Sequence, residues 1–353
     1  MSGCLLPLDE VARRIAGGQV LLVAGSADLL RQLPSGTWIG GSVPYRETGD
    51  EGAVPRDLLH VTQLPEDLRE VTAKVYDATS VRDVYADLAG RDFGVIIIPA
   101  SSPTHLEFAL HAPGYRGFAV RPLVGWISGS QLDGPEGELA SVFCGATGEE
   151  VHDGAVVLQV SLPPGQVADV GVVNIFEQGD GEVIAFPRDG FDVTTAVVDG
   201  MERNFSDFVR EKGLDTRLPL VADYYGVMVN VSFQAVDPVG RLVRFYSPVF
   251  AGLTYRHARP VGDYAARLEA QTPSALPGRL VFSCTCILNH FYAESRRRGA
   301  RGLRGPLTFG EVAYQLVNQT TVYLTVNDLP ADPADRSGSG AAGRTGTAGT
   351  AQA

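Results

Sequence analysis

With 353 residues, 44% of them hydrophobic, the chain carries enough apolar material for two domain-sized cores. Its formal net charge is −12, from 41 acidic against 29 basic side chains, which excludes a nucleic-acid backbone as main partner because phosphate binding needs a basic face. No run of about 18 apolar residues occurs, so no membrane-spanning helix is expected.

The start, "MSGCLLPLDEVARRIAGG", lacks the basic and apolar regions of a leader, and a mature cytoplasmic protein is expected. Within it "LDEVARRIAGG" has the spacing of an amphipathic helix closed by glycine. "QVLLVAGS" follows as a buried strand, "ADLLRQLP" as a helix and "TWIGGSVPY" as a strand broken by two glycines. Next come a strand "REVTAKVYDA", a helix "SVRDVYADLAG" with Ser80 as N-cap, a buried strand "FGVIIIPA" and a helix "SPTHLEFALHAPG". "FAVRPLVGWISG" and the run from Glu138 to Pro163 read as strands.

Beyond residue 168 the theme repeats with longer strands. "QGDGE" is expected to turn one hairpin and "DPVG" a second. "MERNFSDFVREKG" and "VGDYAARLEAQT" read as helices, "RLVFSCTCIL" as a strand, and "NHFYAESRRRG" as a helix capped by Asn289. The fold class is therefore α/β, as two α/β units with large mixed sheets and hairpins: residues 1–166, then 167–330. The Gly-, Ala-, Ser- and Thr-rich stretch 331–353 is expected to be a disordered tail.

The stretch 305–327, "GPLTFGEVAYQLVNQTTVYLTVN", places Glu311, Tyr314, Asn318 and Gln319 among apolar residues. A ligand-facing wall explains them; so does satisfaction of a sharp strand entry by side-chain amides. Cys284, Cys286, Asn289 and His290 sit at a strand-to-helix junction, where free N–H groups favour an anion or a thiolate. A Cys nucleophile at position 284 or 286 with His290 or Glu311 as base is the enzyme reading; small core cysteines and an Asn cap are the plain one. In "WIGGSVPY", Trp38 and Tyr45 offer flat surface, and Gly40 and Gly41 let a ligand or another backbone approach. This stretch is the expected opposite wall, although a strand bulge also explains its glycines. The basic run "ESRRRGARGLRG" at 294–305 reads as a solvated helix end. Cys-x-Cys with one nearby His is the wrong spacing for zinc, so no metal is expected. Four irregularly spaced cysteines suit a reduced protein.

In their order, "LVFSCTCILNHFY", "FGEVAYQLVNQT" and "TVYLTV" resemble the C-terminal half of the FIST family of bacterial sensory domains. "VLLVAGS", "WIGGSVPY" and "DGAVVLQVSLP" resemble that family's first segment more loosely. The motifs WIGG-x-x-PY, SC-x-CILN and FGE-x-AYQL-x-NQT also resemble those of a closer, uncharacterised bacterial family. The resemblance implies a stand-alone sensory protein that binds a small polar molecule, of the amino acid, peptide or organic acid class, and reports to a separate signalling protein. FIST proteins commonly have His before the closing Asn, where this chain has Val317, so neither haem nor another cofactor is expected. A thiol enzyme and a scaffold are the alternative readings.

Overall fold

The computed structural model describes residues 3–43, 45–46, 54–130, 139–224, 227–292, 303 and 305–329. The expected tail and most of the basic run lie outside the described residues.

The helix Leu8–Ala16 buries the i, i+4 pair Val11 and Ile15, with Asp9 and Glu10 in its first turn and Arg13 and Arg14 in its last. With the short helix Ala27–Leu30 it covers a six-stranded sheet ordered Cys4–Pro7, Leu58–Gln63, Leu21–Gly25, Trp38–Ser42, Val142–Cys144, Glu149–Val151. A second sheet runs Gln315–Val317, Glu311–Ala313, Leu123–Ser128, Phe93–Pro99, Ala155–Ser161, Glu70–Tyr76. The helix Pro103–His111 covers its outer face. A third sheet pairs Gln166–Val173, Thr321–Asp328, Arg279–Cys286 and Leu307–Thr308. The inner faces of all three enclose one core, in which Trp126 stacks on Phe282 with ring centroids 5.6 Å apart.

The remaining strands form a six-stranded sheet, from Met201–Asn204 to Val227–Val231, and a three-stranded one around Leu242–Val249. These close over Phe186, Phe205, Phe233 and Phe245. The α/β class with large mixed sheets holds. The boundary at 166/167 does not separate the sheets, because Glu311–Ala313 pairs with Leu123–Ser128 of the N-terminal unit.

Several local expectations are corrected. "QGDGE" is no hairpin turn: Gln166–Val173 pairs with Thr321–Asp328, and Ile184–Ala185 with Thr195–Val198 and Thr254–His257. Met201–Asn204 is a strand, paired with Thr195–Val198 through Asp199 and Gly200, both at positive φ; the helix Phe205–Lys212 starts only after the Asn204 cap. Ser80 does not cap its helix, since its hydroxyl is bonded to Asp77. Residues 116–120 are turns, and the strand begins only at Leu123. The strand Leu58–Gln63 escapes a hydrophobic pattern because its interior includes buried His60 and Thr62.

Candidate functional site

Two of the strand pairings made by the 305–327 stretch converge on one carboxyl group. Leu307–Thr308 runs parallel to the end of Arg279–Cys286. Backbone bonds from Phe309 N to Ile127 O and from Ile127 N to Gly310 O then seat Glu311 opposite Trp126. The Glu311 side chain is fully buried. Its Oε2 accepts from the Thr320 hydroxyl at 2.8 Å and the Thr320 amide at 3.3 Å. The Thr308 hydroxyl lies 2.8 Å from Glu311 Oε1 and 3.1 Å from Thr285 O, and its single hydrogen serves one of them at a time. A protonated Glu311 resolves the conflict: the carboxyl donates to Thr308 Oγ1, and Thr308 donates to Thr285 O. Burial pushes the Glu311 pKa up to about 8, against the hydrogen bonds that Thr308, Thr320 and Cys286 can donate to its ionised form, which lower it.

Behind this carboxyl the Asn289 and Gln319 amides are engaged at both ends. Asn289 Nδ2 donates to Thr320 O at 3.0 Å, and Asn289 Oδ1 accepts from the Tyr264 hydroxyl at 2.6 Å. Gln319, at φ +54, donates from Nε2 to Tyr264 Oη at 3.1 Å and to Arg217 O at 3.0 Å, while its Oε1 accepts from Ser232 at 2.7 Å. A non-glycine residue in this left-handed conformation is costly, and three side-chain bonds hold it there. Asn318 approaches Cys286 Sγ with its Nδ2 at 3.9 Å, and its Oδ1 is buried without a partner.

Tyr264 and Arg217 are also two walls of an open cleft of about 600 Å³ that includes Asp215, Pro260 and Tyr292. One amide, Gln319, thus braces both the Tyr264 ring and the Arg217 backbone from behind. A guanidinium beside two aromatic rings suits a small polar molecule with an acidic group. Arg217 is paired with both oxygens of Asp215, Nε to Oδ1 at 2.9 Å and Nη2 to Oδ2 at 2.7 Å, in a solvent-facing pair of the kind that contributes little to stability.

The structure brings together Cys284, Cys286, Asn289, Glu311, Asn318 and Gln319, but packs them inside rather than along an open wall. Asn289 lies within the helix Ile287–Tyr292, where it ties that helix to Thr320 and Tyr264, and is not its cap. His290 is partly buried on the same helix, its ring 6.1 Å from that of Phe291. Tyr314 forms the tip of the hairpin at φ +62, its carbonyl bound by the Tyr85 hydroxyl, outside the Glu311 cluster. The expected opposite wall is interior. The Trp38 indole donates to Pro34 O at 2.8 Å, and a Cβ on Gly40 would stand 3.0 Å from Val23 O. A Cβ on Gly41 would stand 2.7 Å from Ile97 Cγ2 and 3.0 Å from Trp126 Nε1, so this glycine permits close sheet-to-sheet packing. The Tyr45 side chain lies outside the described residues. Thr308, Thr320, Tyr264 and Arg217 were not singled out from the sequence. The doubled threonine after Gln319 was the available signal for Thr320, whereas Tyr264 read only as one face of a helix.

Both candidate nucleophiles are poor ones. Burial pushes the thiols of Cys284 and Cys286 well above the ordinary cysteine range, and the Glu311 carboxyl beside them adds to the rise. In native protein, iodoacetamide at pH 8 should therefore modify exposed Cys4 and spare Cys144, Cys284 and Cys286 until the chain unfolds. Mass spectrometry of the alkylated peptides reads the result, and rapid native labelling at 284 or 286 would contradict this account. Among the described residues, no three His, Cys, Asp or Glu side chains are grouped to hold a metal. No helix among them is long and apolar enough to cross a membrane.

Fold and site define an α/β protein of mixed sheets in which a buried carboxyl cluster stands behind a polar cleft. The chain belongs to a family of unknown function, DUF6976, whose model matches residues 6–327. No curated protein matches the chain, and no solved structure does. The likeness to FIST domains rests on the sequence motifs alone.

Proposed function

We propose that this protein is a FIST-like sensory protein that binds a small amino acid, peptide or organic acid in the Arg217–Tyr264–Tyr292 cleft. The observation that carries the reading is the bracing of two cleft walls by Gln319, within the segment whose motifs resemble FIST. An acidic group of the ligand meets Arg217, and its body lies over the tyrosine rings. A shift of Tyr264 on binding is passed through Asn289 to the helix Ile287–Tyr292, and a separate signalling protein reads the change. Four unpaired cysteines support a reducing, cytoplasmic setting. The buried, protonated thiols favour this reading over a thiol enzyme.

A melting screen of amino acids, short peptides and organic acids tests it. A true ligand at 100 times its Kd should add about 2.7 kcal/mol of stability. Arg217→Ala, at a largely exposed side chain, should leave the unliganded melting temperature nearly unchanged and abolish the response. Tyr264→Phe should remove about 1–2 kcal/mol of stability by stranding Asn289 and Gln319, and should weaken the response as well. Should every compound leave the wild-type curve in place, the ligand-binding reading fails.

A further inference from the structure

We propose a second binding site, in the cavity at the carboxyl ends of Phe93–Pro99 and Leu123–Ser128, for a small apolar molecule that presents a neutral carbonyl oxygen to His105. The two strands run parallel and are connected through the helix Pro103–His111. Crevices beyond the carboxyl ends of parallel strands are common ligand sites. This one is open to solvent, has a volume of about 720 Å³ and is separate from the Arg217 cleft.

The imidazole specifies what the cavity lacks. Ser101, at φ +62, directs its N–H to His105 Nδ1 at 3.2 Å. Nδ1 is therefore an acceptor, and the neutral ring carries its hydrogen on Nε2. Nε2 is buried and has no partner, on a residue that is only 6% exposed and lines the cavity. Burial alone holds the His105 pKa down to about 4, so the ring is a neutral donor at pH 7. A buried donor without an acceptor is costly, and an oxygen arriving through the cavity relieves it.

The surroundings select an uncharged oxygen. Pro103 has no N–H, and the Ser102 hydroxyl already takes the His105 amide at 3.0 Å, so the helix start adds little pull on an anion. Arg244, at the rim, is paired with both oxygens of Asp192, at 2.7 and 3.0 Å, and that carboxylate also lines the cavity. Phe191, with its ring 5.3 Å from His105, and Phe309, Ile127 and Leu106 supply apolar surface.

Three probes of one shape test the proposal: acetophenone, benzoate and ethylbenzene, titrated into protein carrying ¹⁵N-labelled histidine. Acetophenone should shift the His105 Nε2 resonance saturably and bind about 5–10-fold tighter than ethylbenzene, the ratio one hydrogen bond supplies. His105→Phe should bind both equally. If that variant does not fold, the preference and the resonance shift in the wild type still decide. Equal binding of acetophenone and ethylbenzene, no shift at His105, or a tighter hold on benzoate would overturn the proposal.

Discussion

Replacing Glu311 with Gln should flatten the dependence of stability on pH between about 5 and 8. The folded-state pKa of about 8 lies above the ordinary 4.5. Below 4.5 both folded and unfolded chains hold the proton, and the contribution of the neutral carboxyl is complete. As the pH rises the unfolded chain releases its proton first, so unfolding is increasingly favoured until the folded group also ionises near pH 8. The gap amounts to about 3–5 kcal/mol lost by the wild type across that window. The amide of the Glu311→Gln variant would keep the shape and stay neutral, with its hydrogens directed to Thr308 Oγ1 and its oxygen to Thr320. At pH 5 the two proteins should agree within about 1 kcal/mol, and at pH 8 the variant should be the more stable. Urea titrations at several pH values measure both curves. Parallel curves would mean that Glu311 is ionised in the fold and that the Thr308 hydroxyl points to it throughout.

Gly125→Ala should leave little folded protein. The strand Leu123–Ser128 runs beside Phe93–Pro99 with Gly125 opposite Ile96, and a Cβ at this position would stand 1.8 Å from Ile96 O. The obstacle is backbone inside a sheet, which has no rotamer by which to give way. The Gly125 carbonyl also accepts from the Cys284 thiol at 3.4 Å, so a shift of this strand disturbs the floor beneath Glu311. The expected cost is about 3 kcal/mol or more. Gly114→Ala is the control: nothing stands within 4 Å of its Cβ, and the change should stay within about 0.5 kcal/mol. Soluble yield and the urea midpoint distinguish the two. A stable Gly125→Ala protein would show that the two strands separate easily.

Much of the secondary structure was legible because its causes are local. Val11 and Ile15 repeat with a helical period, and "FGVIIIPA" is apolar enough to be buried on both faces. "DPVG" supplies a turn between Phe233–Asp237 and Leu242–Val249. The hairpin at Asp199–Gly200 was equally legible in "VVDGME", but the helical reading of "MERNFSDF" displaced it. "QGDGE" misled for a different reason. Turn chemistry says that a chain bends, and leaves open which strand it pairs with afterwards.

Residue types and spacing alone singled out Glu311, Tyr314, Asn318 and Gln319 in 305–327 as an unusual polar group, and of these Tyr314 stands apart at a hairpin tip. The tertiary structure decided what they face. Glu311 reaches the seam between two sheets only because Glu311–Ala313 crosses over to pair beside Trp126. Gln319 meets Tyr264 and Arg217 only because residues 55 and 102 positions away are folded against it. Gly40 and Gly41 could have faced a ligand or the protein interior, and sheet packing set Gly40 against the Val23 carbonyl and Gly41 against Ile97 and Trp126. Periodicity follows from bonds along the chain, whereas burial, protonation and the walls of a cleft are set by groups that sequence distance does not order.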